Sequence, residues 1–306
     1  MSAEAESIVN LSKNKRNLKR QKTFQAIGFG FIWLCGILAL AAVFWIIGYV
    51  LTQGLPVVNL AFLTTRPAGG VSGEGGMSTT IVTTLYLVIL TIAIATPLGV
   101  GAAIYLVEYA GEVSRESKFV AFLVKAARMG VEILAGVPSI IFGLFGFALF
   151  VMYMKLGFSL LSASLSGAAL VLPTIIRTSE EALYTVPRSY REGSLSLGVT
   201  KWHTIFNVVL PSALPGIVTG IVLSVGRIIA ETAIFWVTLG GSYHLPESVM
   251  NSGRSMALHV YMLASETRAF DKAMGTAAIL IITIIFLNLA INIISRRLTA
   301  HITGTL

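Results

Sequence analysis

Residues 188–211 read RSYREGSLSLGVTKWHTIFNVVLP, a polar segment that lies between two long apolar runs. Residues 188–197 predict a helix, and Gly198 is placed to end that helix. Residues 200–209 predict a further short helical piece before Pro211. A loop that folds into short helices around a glycine joint is built to be held by a partner.

The composition on both sides of this segment is that of a membrane protein. The chain of 306 residues is 55% hydrophobic and only 12% charged, whereas soluble domains carry about 25% charged residues. Runs of about 20 uncharged, mostly apolar residues can cross a hydrocarbon core of about 30 Å. Six predominantly apolar runs of at least this length occur, at residues 26–51, 80–107, 133–154, 156–176, 213–239 and 275–295, and only 213–239 contains charged residues. We therefore predict an all-α membrane protein with six transmembrane helices.

The basic residues indicate how these helices are oriented. With the amino terminus inside, the inner segments carry six, four, four and two Lys or Arg residues, and the outer segments carry five in total. Cytoplasmic loops of membrane proteins carry such an excess of Lys and Arg. We therefore predict that both termini are cytoplasmic, and we assign the net charge of +8 to membrane topology rather than to nucleic acid binding. The basic run 13–22 is interpreted as a topology anchor.

Residues for catalysis or metal binding are sparse. The single cysteine, Cys35, cannot form a disulfide or a Cys-based metal site within the chain, and the four histidines lack metal-ligand spacing. The chain has no G-x-x-x-x-G-K-[ST] phosphate-binding loop and one aspartate, Asp271. We predict no catalytic site, no metal site and no cofactor in this chain, which therefore cannot hydrolyse ATP alone.

The segment 188–211 resembles the EAA loop of ABC-importer permeases. That pattern is E-A-A, three residues, G, nine residues, I, one residue and L-P. The matching residues here are Glu192-Gly193-Ser194, Gly198, Val208 and Leu210-Pro211. The spacing agrees throughout, and the departures replace Ala-Ala by Gly-Ser and Ile by Val. Gly193 and Ser194 are small like the alanines they replace, and Val208 is apolar like isoleucine.

The flanking segments resemble one branch of that superfamily, the phosphate-specific permeases of the PstA and PstC type. The similar segments are residues 105–109, 134–140, 172–183 and 186–192. The sequences Glu-Glu-Ala-Leu at 180–183 and Glu-Thr-Ala at 231–233 favour the PstA type. The residues Ile-Ile-Ala at 228–230 depart from the expected Ala-small-Gly. The resemblance covers about residues 76–298.

The resemblance implies an ABC type I importer permease architecture and a set of partners. These are a second homologous permease of the PstC type, two copies of a cytoplasmic ATPase that binds ATP and Mg, an external phosphate-binding protein and membrane lipid. The implied organisation is a basic cytoplasmic segment 1–25, a first helix and external loop 26–75, a permease domain 76–298 and a cytoplasmic tail 299–306. The implied coupling loop is 179–211. Its implied ATPase-coupling residues are Arg188, Glu192, Gly193, Ser194, Gly198, Leu210 and Pro211.

The predicted fifth span contains two charges, in the stretch SVGRIIAETAIFW at 224–236. A charge at the centre of a transmembrane helix costs about 2.5–3.5 kcal/mol on insertion scales and normally faces a bundle interior or a pathway. At positions i and i+4, Arg227 and Glu231 are expected on one helical face. One interpretation is a structural ion pair. The other interpretation, which the resemblance implies, is that the guanidinium N–H groups of Arg227 bind a phosphate ion as it crosses the membrane. Glu231 would then tune Arg227, or hold it in place when no phosphate is bound.

The sequence can also be compared with three functions other than phosphate transport by a PstA-type permease. A membrane-embedded enzyme would need a second buried acid or histidine near Glu231, which the spans do not offer. An ion-coupled secondary transporter would have no use for an EAA loop. A permease for molybdate or sulfate, or the PstC-type partner subunit, shares the pattern and stays open beside the phosphate permease in the prokaryotic cytoplasmic membrane.

Overall fold

The computed structural model of the protein describes residues 2–68, 73–110 and 117–303, with side chains described within 24–293 of these ranges. The described ranges contain no β-strand beyond two isolated backbone bridges. The α-helices are α1 (Ser2–Gly54), α2 (Leu60–Thr64), α3 (Ser78–Ile104), α4 (Lys118–Ala135), α5 (Ser139–Gly146), α6 (Leu160–Thr185), α7 (Arg188–Ser196), α8 (Lys201–Thr204), α9 (Leu210–Ala230), α10 (Ala233–Thr238), α11 (Met256–Glu266) and α12 (Phe270–Thr303). Wider π-helical turns continue α3, α5 and α8 at Tyr105–Tyr109, Phe147–Tyr153 and Ile205–Val209.

The described residues include five helical stretches that are long and apolar enough to cross a membrane. They are Phe24–Val57, Ser78–Tyr109, Leu160–Thr185, Lys201–Ala230 and Phe270–Ile293. The bent pair of α4 with α5 and its π-turn supplies a sixth candidate if it is taken as one span. The predicted all-α membrane fold is confirmed. The basic residues 13–20 and the tail 299–306 lie outside the described side chains.

The predicted third span, residues 133–154, is sharply bent. Its first residues belong to α4, which begins fifteen positions earlier at Lys118, and α5 leaves α4 at an angle of 110°. The bend contains Pro138, whose backbone is extended at φ −57° and ψ 139°. A proline disfavours the helical conformation in the residue before it, so the chain leaves the helix at Val137 and Pro138.

The predicted fifth span, residues 213–239, is also not one helix. The chain is helical from Lys201 to Ala230 without a stop at Pro211, and the π-turn Ile205–Val209 ends two residues before that proline. A widened turn relaxes the backbone hydrogen-bond pattern that an interior proline would break. At the other end α9 stops at Ala230, and Glu231 is extended with φ −75° and ψ 129°.

The core is built around α6, which packs against α3 and α9. Small residues allow this close approach. A Cβ atom on Gly220 of α9 would collide with Thr178 of α6, and one on Gly99 of α3 would lie 2.6 Å from a methyl group of Ile175. Glycine at such positions lets two backbones come together and lets van der Waals contacts hold helices in lipid.

The chain divides into two compact units, Met1–Thr52 and Gln53–Leu306. The first unit is the greater part of α1. The second unit contains α2 to α12 and the core just described.

Helix α11, Met256–Glu266, precedes the last helix α12. Ser255 caps this helix by accepting a hydrogen bond from the Leu258 N–H at 3.2 Å. Its first turn is buried, and the helix packs against α12. Tyr261 remains 45% exposed, so α11 is covered on one side only.

Candidate coupling surface and pathway arginine

The loop between α6 and α9 has the joint that the sequence predicts. Helix α7 ends at Ser196, and Gly198 has φ +79°, in the left-handed region that favours glycine. Thr200 then begins α8, since its hydroxyl accepts a hydrogen bond from the His203 N–H. The predicted left-handed glycine at the end of the helix is confirmed.

One side of this loop is unusually apolar for an exposed surface. Leu197 is 84% exposed, Trp202 59% and Tyr190 52%. The rings of Trp202 and Phe206 lie with their centres 4.2 Å apart. We call this set, together with Leu195 and Val199, the coupling surface. A group of large apolar side chains that this chain leaves uncovered is typical of an interaction site.

The charged residues of α7 stand beside the coupling surface. Arg188 and Glu192 are both exposed, and no salt bridge joins them in the part of the chain that the structure describes. Gly193 is also exposed, with open space where a Cβ would stand. Glu192 therefore forms no local ion pair with Arg188 in the described part of the chain.

The opposite side of the loop rests on the protein. Ser194 and Thr204 share a hydrogen bond of 2.9 Å between their hydroxyls, which joins α7 to α8. Below them lies an apolar cluster contributed by α3, α6, the π-turn after α8, and α9. Its members are Ala103, Ile104, Ala182, Leu183, Val186, Ile205, Val209, Ala213 and Ile217. Leu210 and Pro211, the end of the EAA pattern, are half-buried at the start of α9.

An ion pair links α7 to the π-turn at the end of α3. The Arg191 Nη2 group lies 2.7 Å from Glu108 Oε1, and both side chains are largely buried. Arg191 also donates to main-chain carbonyls at the end of α6. Sequence reasoning missed this pair as a site, because a separation of 83 residues gives no periodic signal. Both residues nevertheless fall within segments that carried the family resemblance.

A second group of charges lies at the same end of α6. Glu180 is almost fully buried, and Arg128 and Arg177 lie 3.8 and 3.9 Å from its carboxylate oxygens. Arg128 also donates to the Leu106 carbonyl at 2.9 Å. The arginines themselves are 43% and 55% exposed. These pairs fasten α4 to α6 and to the end of α3.

Arg227 and Glu231 do not share one helical face, which corrects the expectation from their spacing. Arg227 is on the exposed stripe of α9, in line with Ser212, Thr219 and Leu223. Glu231 follows the end of the helix, is 9% exposed, and accepts a hydrogen bond from the Ile234 N–H at 3.4 Å. Within the described residues no salt bridge joins the two side chains. The helix break turns Glu231 inward while Arg227 faces away from this chain.

The loop between α10 and α11 holds a buried arginine. Arg254 donates to the Gly241 carbonyl at 3.0 Å, and its guanidinium lies 4.1 Å from the centre of the Tyr243 ring. His259 lies 3.4 Å away and is outside the candidate spans. Burial, the charge of Arg254 and the charge of Lys272 lower the pKa of His259 from 6.5 to about 3. Among the described residues, no group of three or more His, Cys, Asp or Glu is placed to hold a metal ion.

These features describe a helical membrane protein with an exposed apolar surface on the loop between α6 and α9. Residues 95–304 match the profile of the family described as "Binding-protein-dependent transport system inner membrane component". The match covers more than half of the chain. The protein belongs to this family: it is an inner-membrane subunit of an ABC transporter and not an enzyme in itself.

Two curated proteins are similar along most of their length. The "Probable ABC transporter permease protein YqgI" of Bacillus subtilis is 29% identical over 301 residues, covering 92% of this chain and 99% of that protein. "Phosphate transport system permease protein PstA 1" of Mycobacterium tuberculosis is 34% identical over 278 residues, covering 89% and 87%. The resemblance to PstA-type permeases is thus confirmed.

A solved structure supports the fold. An inward-facing MetNI methionine ABC transporter has a chain that superposes with a TM-score of 0.54 over 72% of this chain and 93% of that one. The sequence identity is 20%. At this identity the similarity establishes a shared fold, the ABC type I importer permease architecture.

Proposed function

We propose that this chain is a PstA-type permease subunit that carries inorganic phosphate across the cytoplasmic membrane in an ATP-driven importer. The observation that carries the proposal is the 34% identity with a PstA permease over 89% of the chain. The chemistry of Arg227 supports it, because a guanidinium fork matches the oxygens of a tetrahedral anion. A permease for sulfate or molybdate would use the same chemistry and is the alternative outcome of the test below.

The proposed complex supplies the ATPase, the second permease and the binding protein that work with this chain. We expect a second, PstC-like permease beside it, two copies of a cytoplasmic ATPase that bind ATP and Mg, and an external phosphate-binding protein. An exposed Arg227 on α9 suits this arrangement, since the exposed face of a span in one subunit can line a path completed by the other. Glu231 would keep the end of α9 in place beside that path by capping the break.

The coupling surface is proposed to dock in the ATPase, with Arg188 and Glu192 at its charged edge. Both charges and the large apolar side chains are exposed in this chain. Interfaces typically combine an apolar centre, often with Trp or Tyr, and a polar rim. Gly193, Ser194, Gly198, Leu210 and Pro211 would then act by shaping the loop.

The test is uptake of radiolabelled phosphate by cells whose only phosphate importer contains this chain. Wild-type uptake should be inhibited by unlabelled phosphate and unaffected by equal sulfate or molybdate. Arg227→Gln should lower uptake by about a hundredfold, as expected when a charged hydrogen bond to the anion of about 3 kcal/mol is lost. Arg227→Lys should restore only a small part, because an ammonium group lacks the fork.

Lys125→Gln is the matched control, since it removes an exposed cation from α4 without touching α9. If equal sulfate or molybdate inhibits uptake of labelled phosphate, the transported substrate is that other oxyanion and not phosphate. Normal uptake by Arg227→Gln, or failure of that variant to assemble with its partners, would contradict the pathway role of Arg227.

A further inference from the structure

We propose that Arg191 and Glu108, which we call the latch, join the coupling loop to the inner ends of α3 and α6 so that movement of α7 is passed to these spans. The inference rests on the proposed function, in which an ATPase moves the loop. It assigns both side chains a positioning role in transport.

The latch uses one guanidinium to hold three elements. Arg191 Nε and Nη2 both donate to Glu108 Oε1, at 3.0 and 2.7 Å. Nη1 donates to the Val186 carbonyl at 2.7 Å, and Nη2 donates to the Leu183 carbonyl at 2.9 Å. A guanidinium has five N–H donors in a fixed plane, so few other side chains could make this set of bonds. Helix α7, the end of α6 and the π-turn after α3 are therefore tied at one point.

Burial distinguishes the latch from the surface ion pairs nearby. The Glu108 side chain is 9% exposed and the Arg191 side chain 19%, whereas the pair of Arg177 with Glu181 is 55% and 69% exposed. Charge-assisted hydrogen bonds are short and strong when water is excluded, but an exposed ion pair contributes little. Because it is buried, the latch should hold its three elements together strongly, whereas the exposed pair of Arg177 with Glu181 should contribute little.

The surroundings place the latch directly behind the proposed ATPase contact. A cavity of about 290 Å³ is lined by both latch residues and by Arg188 and Glu192. On α8, the Lys201 ammonium lies 4.8 Å from the centre of the Tyr109 ring, so the same π-turn is contacted by both short helices. A force applied at the exposed side of α7 thus reaches α3 and α6 through its buried side.

The experiment uses the purified four-component complex in lipid vesicles and measures both ATP hydrolysis and phosphate imported per ATP. Glu108→Gln keeps the size and an acceptor oxygen but removes the charge, and Arg191→Gln removes the fork. Each should lower phosphate per ATP by about tenfold, while the complex assembles and hydrolysis changes by less than about twofold. The double variant should be no worse than the poorer single variant, because the two residues act as a unit.

Glu181→Gln is the matched control, since it removes an exposed carboxylate from the same end of α6 and should leave phosphate per ATP unchanged. Arg191→Lys keeps the charge and should recover only part of the loss. A normal ratio in Glu108→Gln would overturn the latch. So would a double variant whose loss is the product of the two single losses.

A second measurement is independent of the transported substrate. Spin labels on cysteines at Leu98 of α3 and Ser189 of α7, in a Cys35→Ala background, report the distance between these helices. The distance distribution should be narrow in the otherwise unchanged protein and clearly broader with Glu108→Gln. Equal widths would overturn the latch whatever the complex carries, whereas failure of the wild type to import phosphate would overturn only the proposed function.

Discussion

At the scale of single residues, His259 is held in its neutral form by its surroundings. It is 3% exposed and lies beside the positive charges of Arg254 and Lys272. Because burial and these charges lower its pKa in the folded protein from 6.5 to about 3, the unfolded chain binds a proton more readily. The resulting stability is fully present above pH 6.5 and is lost as the pH falls toward 3.

This predicts a loss of thermal stability in mild acid. Lowering the pH from about 7 to about 5 should cost about 2 kcal/mol and lower the melting temperature in detergent by about 5 °C. Glutamine stays neutral at every pH, so His259→Gln should remove most of this change in melting temperature with pH. The smaller contributions of other titrating groups should remain. The melting temperatures of both proteins across this pH range measure it. Identical pH profiles for the variant and the wild type would contradict the account of His259.

The sequence identifies single residues well when their chemistry is rare in their surroundings. Arg227 stands out because a charge in an apolar run is costly. The partner of such a residue is harder to predict. Spacing placed Glu231 beside Arg227, but the helix ends between them. Glu108 and Arg191 meet through tertiary packing across 83 positions, which no local pattern contains.

At the scale of elements, hydrophobic length predicts which segments span the membrane but not how each segment bends. Pro138 breaks a helix, whereas Pro97 and Pro173 lie inside α3 and α6. The outcome depends on whether neighbouring turns can satisfy the freed carbonyls. The π-turn before Pro211 shows one way of doing so. Single-residue preferences do not contain that information, and the exact bends in the spans could not be predicted.

The glycine joint of the coupling loop gives a prediction at this scale. Gly198→Val places a β-branched residue at φ +79°, which costs about 1–2 kcal/mol. The chain itself offers open space there, so the change should alter the angle between α7 and α8 without disturbing the core. We expect a permease that inserts but copurifies with little ATPase, or with ATPase that the binding protein no longer stimulates.

Glu192→Ala should show a milder form of this defect, because it removes one exposed contact and leaves the loop geometry intact. Quantitative copurification from solubilised membranes measures both variants, with Lys125→Gln as the control. Full recovery of stimulated ATPase with Gly198→Val would mean that the loop does not dock there.

At the scale of the whole molecule, the chain is a permease subunit of an ABC transporter. A buried apolar cluster underlies α7 and α8, and α9 leaves Arg227 on an exposed stripe. Composition and the lengths of the apolar runs were enough to predict a multi-pass membrane protein. The EAA spacing was enough to predict its class, because several residue types at fixed separations form a specific pattern.

The central claim is that this chain carries phosphate inward with energy from ATP hydrolysed on the side of the coupling surface. The direct test is phosphate accumulation in vesicles that contain both permeases and the ATPase, with the binding protein on the face opposite the coupling surface. Uptake should require ATP on the coupling-surface side, require the binding protein, and disappear when this chain is omitted. Equal uptake without ATP, or without this chain, would contradict the account.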